Sequence, residues 1–190
     1  QSTALGTLIA RRILEIKLGE QRKLLTDLKN NRSTSVQELA RALQVMDSNL
    51  KQVRNKKNML SKQSMLGFEG NAANAYFRAI SAILPEKYEF KERSQHPAKD
   101  EFNALLNYGY GIIYRETETI IILSGLDPNA GIYHVDQYGK PTLSYDVTEL
   151  FRPKIDRLAV SLITKRKAKD DWFEKNDTEC SLTKIGRQAM

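Results

Sequence analysis

Three separate blocks of this chain carry residue types that could perform chemistry at a phosphate. Glu69 lies within the sequence Gly-Phe-Glu-Gly, and His134 follows a stretch rich in glycine, proline and asparagine. Asp146 and Glu149 stand three positions apart. Carboxylate and imidazole groups together suit Mn²⁺ and tolerate Mg²⁺. Such an ion neutralises charge on a scissile phosphate and activates the attacking oxygen, so these residues indicate a metal site for phosphodiester chemistry.

Each of these residues also has an ordinary structural explanation. At the start of a predicted helix, Glu69 would favour the positive end of the helix dipole, a stabilisation of about 0.3–1 kcal/mol. His134 is one of two histidines in the chain. A histidine considered alone is more often a hydrogen-bonded or surface residue than a metal ligand. Asp146 and Glu149 would face the same side of a helical turn and repel each other weakly, unless a cation lay beside them. The combination of residues therefore matters more than any one of them.

Helical periodicity dominates the rest of the chain. Apolar residues recur every three or four positions in residues 4–29 and again in residues 36–53, with turn-forming residues between and a break expected near Asp47. Small and apolar residues alternate from Glu69, which predicts a closely packed core helix that Pro85 ends. Further helices are predicted over residues 102–113 with a weak stretch at 107–111, in a short segment ending at Gly125, and over residues 144–151 and 154–166.

The predicted architecture is therefore an all-α, multi-helix domain. Residues 131–143 are expected to form a loop with a brief hairpin, and the sequence lacks the set of strands that an independent sheet needs. We expect a helical catalytic domain with the metal site over residues 1–165. Residues 166–190 are expected to form a polar, irregular C-terminal tail.

The composition favours an intracellular protein that binds nucleic acid. The chain has 190 residues with 30 Lys and Arg against 23 Asp and Glu, a net charge of +7. Basic clusters at residues 51–57 and 165–167 could bind phosphates, although a solvated helix face would look the same. Cys180 is the single cysteine, and the longest apolar run is residues 120–123, so neither a disulfide nor a membrane span is expected. We expect a soluble, cytoplasmic protein.

Several sequence blocks, taken in order, resemble the signature blocks of one known family. They are residues 67–73 (GFEGNAA) followed by Tyr76-Phe77, Arg93 with residues 97–110 (PAKDEFNALLNYGY), residues 125–128 (GLDP), residues 131–134 (GIYH) and residues 143–153 (LSYDVTELFRP). Over residues 4 to 163 the chain resembles the CRISPR adaptation integrases, the family of the first CRISPR-associated protein.

The resemblance implies roles for the residues singled out above. Glu69, His134 and Glu149 are expected to bind Mg²⁺ or Mn²⁺, and Asp146 to assist them or to hold the site in position. The implied reaction is a transesterification in which the 3′-hydroxyl of a short DNA fragment attacks a CRISPR repeat and inserts the fragment as a new spacer. Nuclease and disintegrating activities are expected at the same site.

The resemblance also implies partners. These are double-stranded prespacer and repeat DNA, a second copy of the chain, the small second adaptation protein (Cas-two), and a fused or separate reverse transcriptase. The family normally begins with a β-rich domain, and this sequence has none, so we expect a catalytic-domain fragment. Such a fragment should show weak nuclease activity and little paired-end integration by itself.

Three alternatives remain open at this point. Residues 35–43 and 48–54 resemble the two helices of a helix-turn-helix regulator, although the intervening residues 44–47 contain no glycine. A transposon-end integrase of the same fold would use the same ligands on different DNA ends. An inactive assembly partner would retain the fold without the reaction.

Overall fold

The computed structural model of the protein describes residues 4–32, 35–55, 60–133 and 140–190. In this part of the chain the main elements are helical, and the only strands form one small hairpin. In chain order they are α1 (Ala4–Asn30), α2 (Val36–Arg54), α3 (Lys62–Ser81), α4 (Glu101–Leu123), α5 (Thr142–Thr148), α6 (Arg152–Thr164), β1 (Phe173–Lys175), β2 (Cys180–Leu182) and α7 (Lys184–Ala189), with 3-10 turns at Glu86–Tyr88 and Asp170–Trp172. The predicted all-α class is confirmed.

Helix α1 packs against four of the other helices. It contacts α2, α3, α5 and α6, because its apolar residues recur at helical spacing and form one buried face. Two polar residues, Lys17 and Gln21, occupy positions on that same face. The apolar part of the face consists of Ala10, Ile13, Leu14, Leu18, Leu24 and Leu25.

Helix α2 runs without interruption, so the break predicted near Asp47 is wrong. Its buried residues continue through this point, with Met46 and Leu50 both in the core. Asp47 faces outward and forms an ion pair with Arg22 of α1. The helix-turn-helix alternative required a turn at residues 44–47, and a continuous helix there excludes that geometry.

Helix α3 begins earlier than predicted, at Lys62. Ser61 caps it, since its hydroxyl accepts a hydrogen bond from the Ser64 backbone N–H at 3.1 Å. Glu69 therefore lies about two turns inside the helix rather than at its positive end. The explanation of Glu69 as a helix-dipole residue does not hold.

Helix α4 is one continuous helix of 23 residues, where a weak stretch and a second short helix were predicted. Asp100 caps its start by accepting from the Asn103 backbone N–H at 2.8 Å. Gly109 lies where α6 crosses, and a Cβ atom there would collide with Cγ2 of Ile155. The glycine therefore serves close helix packing and does not interrupt α4.

The segment after Lys165 is folded, so the prediction of an irregular tail is wrong. Strands β1 and β2 pair in antiparallel register with Phe173 opposite Leu182, and α7 follows directly. Trp172 and Cys180 are buried, and the Cys180 backbone N–H donates to the Ala98 carbonyl at 2.7 Å. The hairpin packs against α4, because alternate residues of β2 are apolar or small and face inward.

Two further sequence expectations concern membranes and the segment before α5. Among the helices of the described residues, none has the length and apolarity to cross a membrane.

The hairpin expected over residues 131–143 falls largely on residues 134–139, which lie outside the described residues. Helix α5 begins at Thr142, whose hydroxyl donates to the Asn129 carbonyl at 2.7 Å.

Candidate active site

Two of the predicted metal ligands meet at a single lysine. Glu69 comes from the middle of α3, and Glu149 directly follows α5. The ammonium nitrogen of Lys17, on α1, lies 2.5 Å from Oε1 of Glu69 and 2.5 Å from Oε2 of Glu149. Three helices that are distant in sequence thus bring two carboxylates to the same point.

Lys17 is almost fully buried, with 8% of its surface exposed. Burial by itself would lower the pKa of Lys17, but the charges of Glu149 and Glu69 outweigh it and raise this pKa above its ordinary value. The side chain is therefore a charged ammonium group in the protein interior. Such a charge is tolerated only where opposite charges lie in contact with it, as they do here.

Tyr133 and Arg152 bind the other oxygens of the two carboxylates. The Tyr133 hydroxyl donates to Oε2 of Glu69 at 2.5 Å, and the Arg152 guanidinium lies 2.7 Å from Oε1 of Glu149. Burial, followed by the charge of Glu69, raises the pKa of Tyr133 far above its ordinary value, so its hydroxyl stays protonated and donates. Two positive charges thus balance the two negative charges of Glu69 and Glu149.

Asp146 plays a different part from its neighbour Glu149. It is fully buried, and its Oδ2 accepts hydrogen bonds from the backbone N–H groups of Ile132 at 2.6 Å and Tyr133 at 2.7 Å. The carboxylate thereby fixes the chain immediately before His134. Of the two roles expected for Asp146, assisting the metal ligands and holding the site in position, these hydrogen bonds concern the second, and both roles remain predictions.

His134, the third predicted ligand, lies outside the described residues. Within residues 4–32, 35–55, 60–133 and 140–190 no three His, Cys, Asp or Glu side chains are grouped so as to hold a metal ion. The two carboxylates that do converge offer oxygen atoms, the donors that Mg²⁺ and Mn²⁺ favour. The residues present fit a hard divalent ion, and the ligand set remains a prediction.

A cleft of about 790 Å³ opens beside Glu149. Glu149 and Tyr133 line it, and among the described residues that line it the basic ones outnumber the one acidic residue. These basic residues are Lys62, Arg93, Lys140 and Arg152. A cleft with this lining attracts polyanions toward the carboxylate pair.

Arg93, which belongs to one of the family blocks, is firmly held in this cleft. Its guanidinium donates to the amide oxygens of Asn103 at 2.6 Å and Asn107 at 2.5 Å. Burial lowers the pKa of Arg93, although the group stays charged at neutral pH. Its planar face lies 5.4 Å from the ring centre of Tyr110. The cation is therefore fixed in place rather than freely rotating.

A third buried carboxylate lies behind the cleft. Asp156 of α6 is fully buried and accepts hydrogen bonds from the hydroxyl groups of Tyr76, at 2.8 Å, and Tyr110. Burial raises the pKa of Asp156 to about 6, although the hydrogen bonds from Tyr110 and Tyr76 act in the opposite direction. The guanidinium group of Arg152 lies 5.0 Å from the centre of the Tyr110 ring. Tyr110 therefore connects Asp156 to the site, because it contacts both Asp156 and Arg152.

Sequence reasoning did not single out Lys17, Tyr133, Arg152 or Asp156 as residues of the site. A signal for Lys17 was present, because it occupies a core position between Leu14 and Leu18 in the apolar periodicity of α1. A lysine at a position that should be apolar needs a buried acidic partner. Nothing comparable marks Tyr133, whose contact with Glu69 depends on the fold.

A pair of carboxylates beside a basic cleft offers oxygen atoms to a hard cation and a positive surface to a polyanion. Comparisons with known proteins place the chain more closely. A family model described as CRISPR associated protein Cas1 matches residues 1–190. The CRISPR-associated endonuclease Cas1 1 of Archaeoglobus fulgidus is 35% identical over 199 residues, which cover 97% of this chain and 58% of that protein.

Solved structures of related proteins resemble the fold of this chain. A chain of a Cas6-RT-Cas1–Cas2 complex matches 97% of this chain and 20% of its own length, with a TM-score of 0.85 and 27% identity. A casposase bound to integration product matches 97% of this chain and 53% of its own length, with a TM-score of 0.80 and 26% identity.

The chain belongs to the Cas1 family of CRISPR-associated proteins, as its sequence blocks predicted. It spans little more than half the length of the Archaeoglobus relative.

Proposed function

We propose that this chain is the catalytic domain of a metal-dependent DNA endonuclease and integrase. It joins the 3′-hydroxyl ends of short DNA fragments to CRISPR repeat DNA by transesterification. The observation that carries the proposal is the convergence of Glu69 and Glu149 on Lys17 beside a basic cleft. Membership of a family that includes named endonucleases supports it.

Glu69, Glu149 and His134 would hold the ion, either Mg²⁺ or Mn²⁺. When bound, the ion supplies charge neutralisation at the scissile phosphate and lowers the pKa of the attacking hydroxyl group. Carboxylate oxygens and an imidazole nitrogen form a donor set that either ion accepts.

The chain's own residues orient the reacting groups. Tyr133 and Arg152 fix the two carboxylates from opposite ends, and Asp146 fixes the backbone that leads to His134. Arg93, held by two asparagines, provides a rigid cation for a DNA phosphate. The reaction forms one oxygen–phosphorus bond and breaks another, so it exchanges one phosphodiester for another. Positioning and charge stabilisation are therefore the main tasks of the protein.

The proposal includes partners. Double-stranded DNA, a second copy of the chain and Cas2 are expected, and a reverse transcriptase in fused systems. The similarity to a chain of a Cas6-RT-Cas1–Cas2 complex supports the last two. Insertion of both ends requires two sites at a fixed separation, so we expect residues 1–190 alone to nick DNA and to perform little paired-end integration.

A strand-transfer assay tests the proposal directly. Purified wild-type protein and Glu149→Gln are incubated with a labelled DNA fragment, supercoiled repeat DNA and Mn²⁺ or Mg²⁺. Nicking and joining should fall at least about 100-fold in the variant, since a ligand is lost while the side-chain shape is kept. Glu116→Gln, which removes an exposed carboxylate of α4, is the matched control and should retain activity. Equal activity in wild type and Glu149→Gln would refute the proposal and would favour an inactive assembly partner.

A transposon-end integrase is the second candidate. The similarity to a casposase bound to integration product is the observation that favours it. The same assay distinguishes the two candidates when transposon terminal repeats replace the spacer-sized fragment. Preferential joining of transposon ends would support the second candidate over the first.

A further inference from the structure

Lys17 contacts the carboxylate oxygens that a metal ion would need. Its ammonium group bridges Oε1 of Glu69 and Oε2 of Glu149, and the remaining oxygens bind Tyr133 and Arg152. We propose that Lys17 is a displaceable counter-ion, which competes with the divalent ion for Glu69 and Glu149 and couples ion binding to DNA binding. This inference rests on the proposed metal-dependent function.

The competition follows from the local charges. Lys17 and Arg152 already balance the two carboxylates, so a divalent ion would add two positive charges to a nearly neutral cluster. An ammonium group and a divalent ion in contact with the same oxygens repel each other strongly in a buried site. The ion therefore binds tightly only if Lys17 moves away or if further negative charge arrives.

A second cavity gives the displaced ammonium group somewhere to go. It has a volume of about 390 Å³, and Lys17 and Gln21 lie in its wall. Its other charged lining residues are Arg78, Lys91, Glu92, Arg93 and Arg152. A lysine side chain has four rotatable bonds along its stem, so its end can turn toward this space while its backbone stays in α1.

The same cavity explains why DNA should assist. Arg93, Tyr110 and Arg152 line both the cavity and the cleft, so the two spaces are neighbours. A DNA phosphate bound among these cations supplies the negative charge that the displaced Lys17 needs. Binding of the ion and binding of DNA should then each strengthen the other, because such coupling is reciprocal.

Measurement of Mn²⁺ affinity tests the inference without any activity assay. Free Mn²⁺ is followed by electron paramagnetic resonance at fixed pH, with and without a short DNA duplex, and with DNA alone as the blank. Lys17→Met should bind Mn²⁺ at least about tenfold more tightly than wild type without DNA, because the competing charge is gone. DNA should raise the Mn²⁺ affinity of wild type at least about fivefold and that of Lys17→Met by clearly less.

Two further variants separate charge from shape. Lys23 lies on α1 with its side chain exposed, so Lys23→Met removes the same charge and should leave Mn²⁺ affinity unchanged. Lys17→Arg keeps the charge and should bind Mn²⁺ about as weakly as wild type. If Lys17→Met is less stable, Mn²⁺ should raise its melting temperature more than that of wild type, because tighter binding gives greater stabilisation.

The possible failures are distinguishable. Unchanged or weaker Mn²⁺ binding by Lys17→Met, while Glu149→Gln abolishes binding by wild type, would overturn the role of Lys17 and keep the metal site. Mn²⁺ binding that is absent in wild type and in Lys17→Met, or that does not depend on Glu149, would overturn both the inference and the proposed metal-dependent function.

Discussion

The protein buries carboxylates in two regions that differ in their partners. Glu69 and Glu149 contact cations, Lys17 and Arg152, and Glu149 lines an open cleft. Asp156 instead accepts hydrogen bonds from two tyrosine hydroxyl groups in the core. It lines neither of the two cavities beside the site. The same chemical group is thus prepared for different tasks by its neighbours.

The difference shows how the fold separates function from structure. A carboxylate paired with cations stays ionised in the interior, and one beside a cleft remains accessible to an incoming ion or phosphate. A carboxylate that has only neutral donors and no access to solvent gains protons more readily, and the pKa of Asp156 rises to about 6. Glu69 and Glu149 are therefore expected to determine activity, and Asp156 to determine stability.

The largest expected effect is a loss of strand-transfer activity when one of the cation-paired carboxylates is changed. Glu69→Gln should reduce strand transfer at least about 100-fold, because a ligand is lost while Lys17 and Tyr133 keep a polar partner. The melting temperature should also fall, because Lys17 loses one of its two acidic partners while Glu149 remains, so rates are compared below the unfolding transition of the variant. Strand-transfer rates and thermal unfolding of the same preparations provide the measurement. Near-normal activity would show that Glu149 acts without Glu69.

The next largest effect should be on the stability of the tyrosine-held side. Asp156→Ala leaves the hydroxyl groups of Tyr76 and Tyr110 without their acceptor and opens a small cavity, which should lower the free energy of unfolding by about 2–5 kcal/mol. Urea unfolding measures the change. Asp171→Ala, at an exposed position, is the control and should change stability by less than about 0.5 kcal/mol. A loss for Asp156→Ala no larger than the control's would contradict a structural role.

The accuracy of the sequence predictions differs from one part of the fold to another. Helices α1 and α2 were predicted closely, because their apolar periodicity is long and regular. The start of α3 was missed, since residues 62–68 contain a glycine and little periodicity, although Ser61 is a typical capping residue. The polar sequence after Lys165 hid the few buried residues, Trp172 among them, that fold it against α4.

The site was predictable where it rests on family blocks and unpredictable where it rests on packing. Glu69 and Glu149 were singled out by residue type and by the resemblance, and the structure brings them together. Tyr133 carries no mark in one sequence, because its contact with Glu69 depends on tertiary packing. Arg152 stands three positions after Glu149, a spacing that could have indicated their ion pair.

A smaller and more gradual effect should appear in the pH dependence of stability. The pKa of Asp156 is about 6 in the folded protein against an ordinary value of 3.8, so the folded state binds more protons between these values. The contribution of this group to stability should therefore be greatest below pH 4 and should fall by about 3 kcal/mol as the pH rises to about 6. Unfolding free energies of wild type and Asp156→Asn, compared across this range, isolate the effect. A difference between the two proteins that does not vary with pH would show that Asp156 is not held with a raised pKa.

The smallest expected effect concerns Asp146, a buried carboxylate that accepts hydrogen bonds from two backbone N–H groups. Both hydrogen bonds, from Ile132 and Tyr133, end on the same oxygen, Oδ2. Asparagine keeps one carbonyl oxygen that can accept both bonds, so Asp146→Asn should lose the charge but preserve the backbone path to His134. We expect strand transfer to fall only about threefold, the difference between a charged and a neutral acceptor. Asp146→Ala removes both bonds and should reduce activity about 10–100-fold, as loss of a group that orients a metal ligand does. Strand-transfer rates of the two variants, measured side by side, decide the role. Equal and severe losses of strand transfer in Asp146→Asn and Asp146→Ala would mean that the charge of Asp146 is itself required. Asp146 would then belong with Glu69 and Glu149 rather than with the residues that only position them.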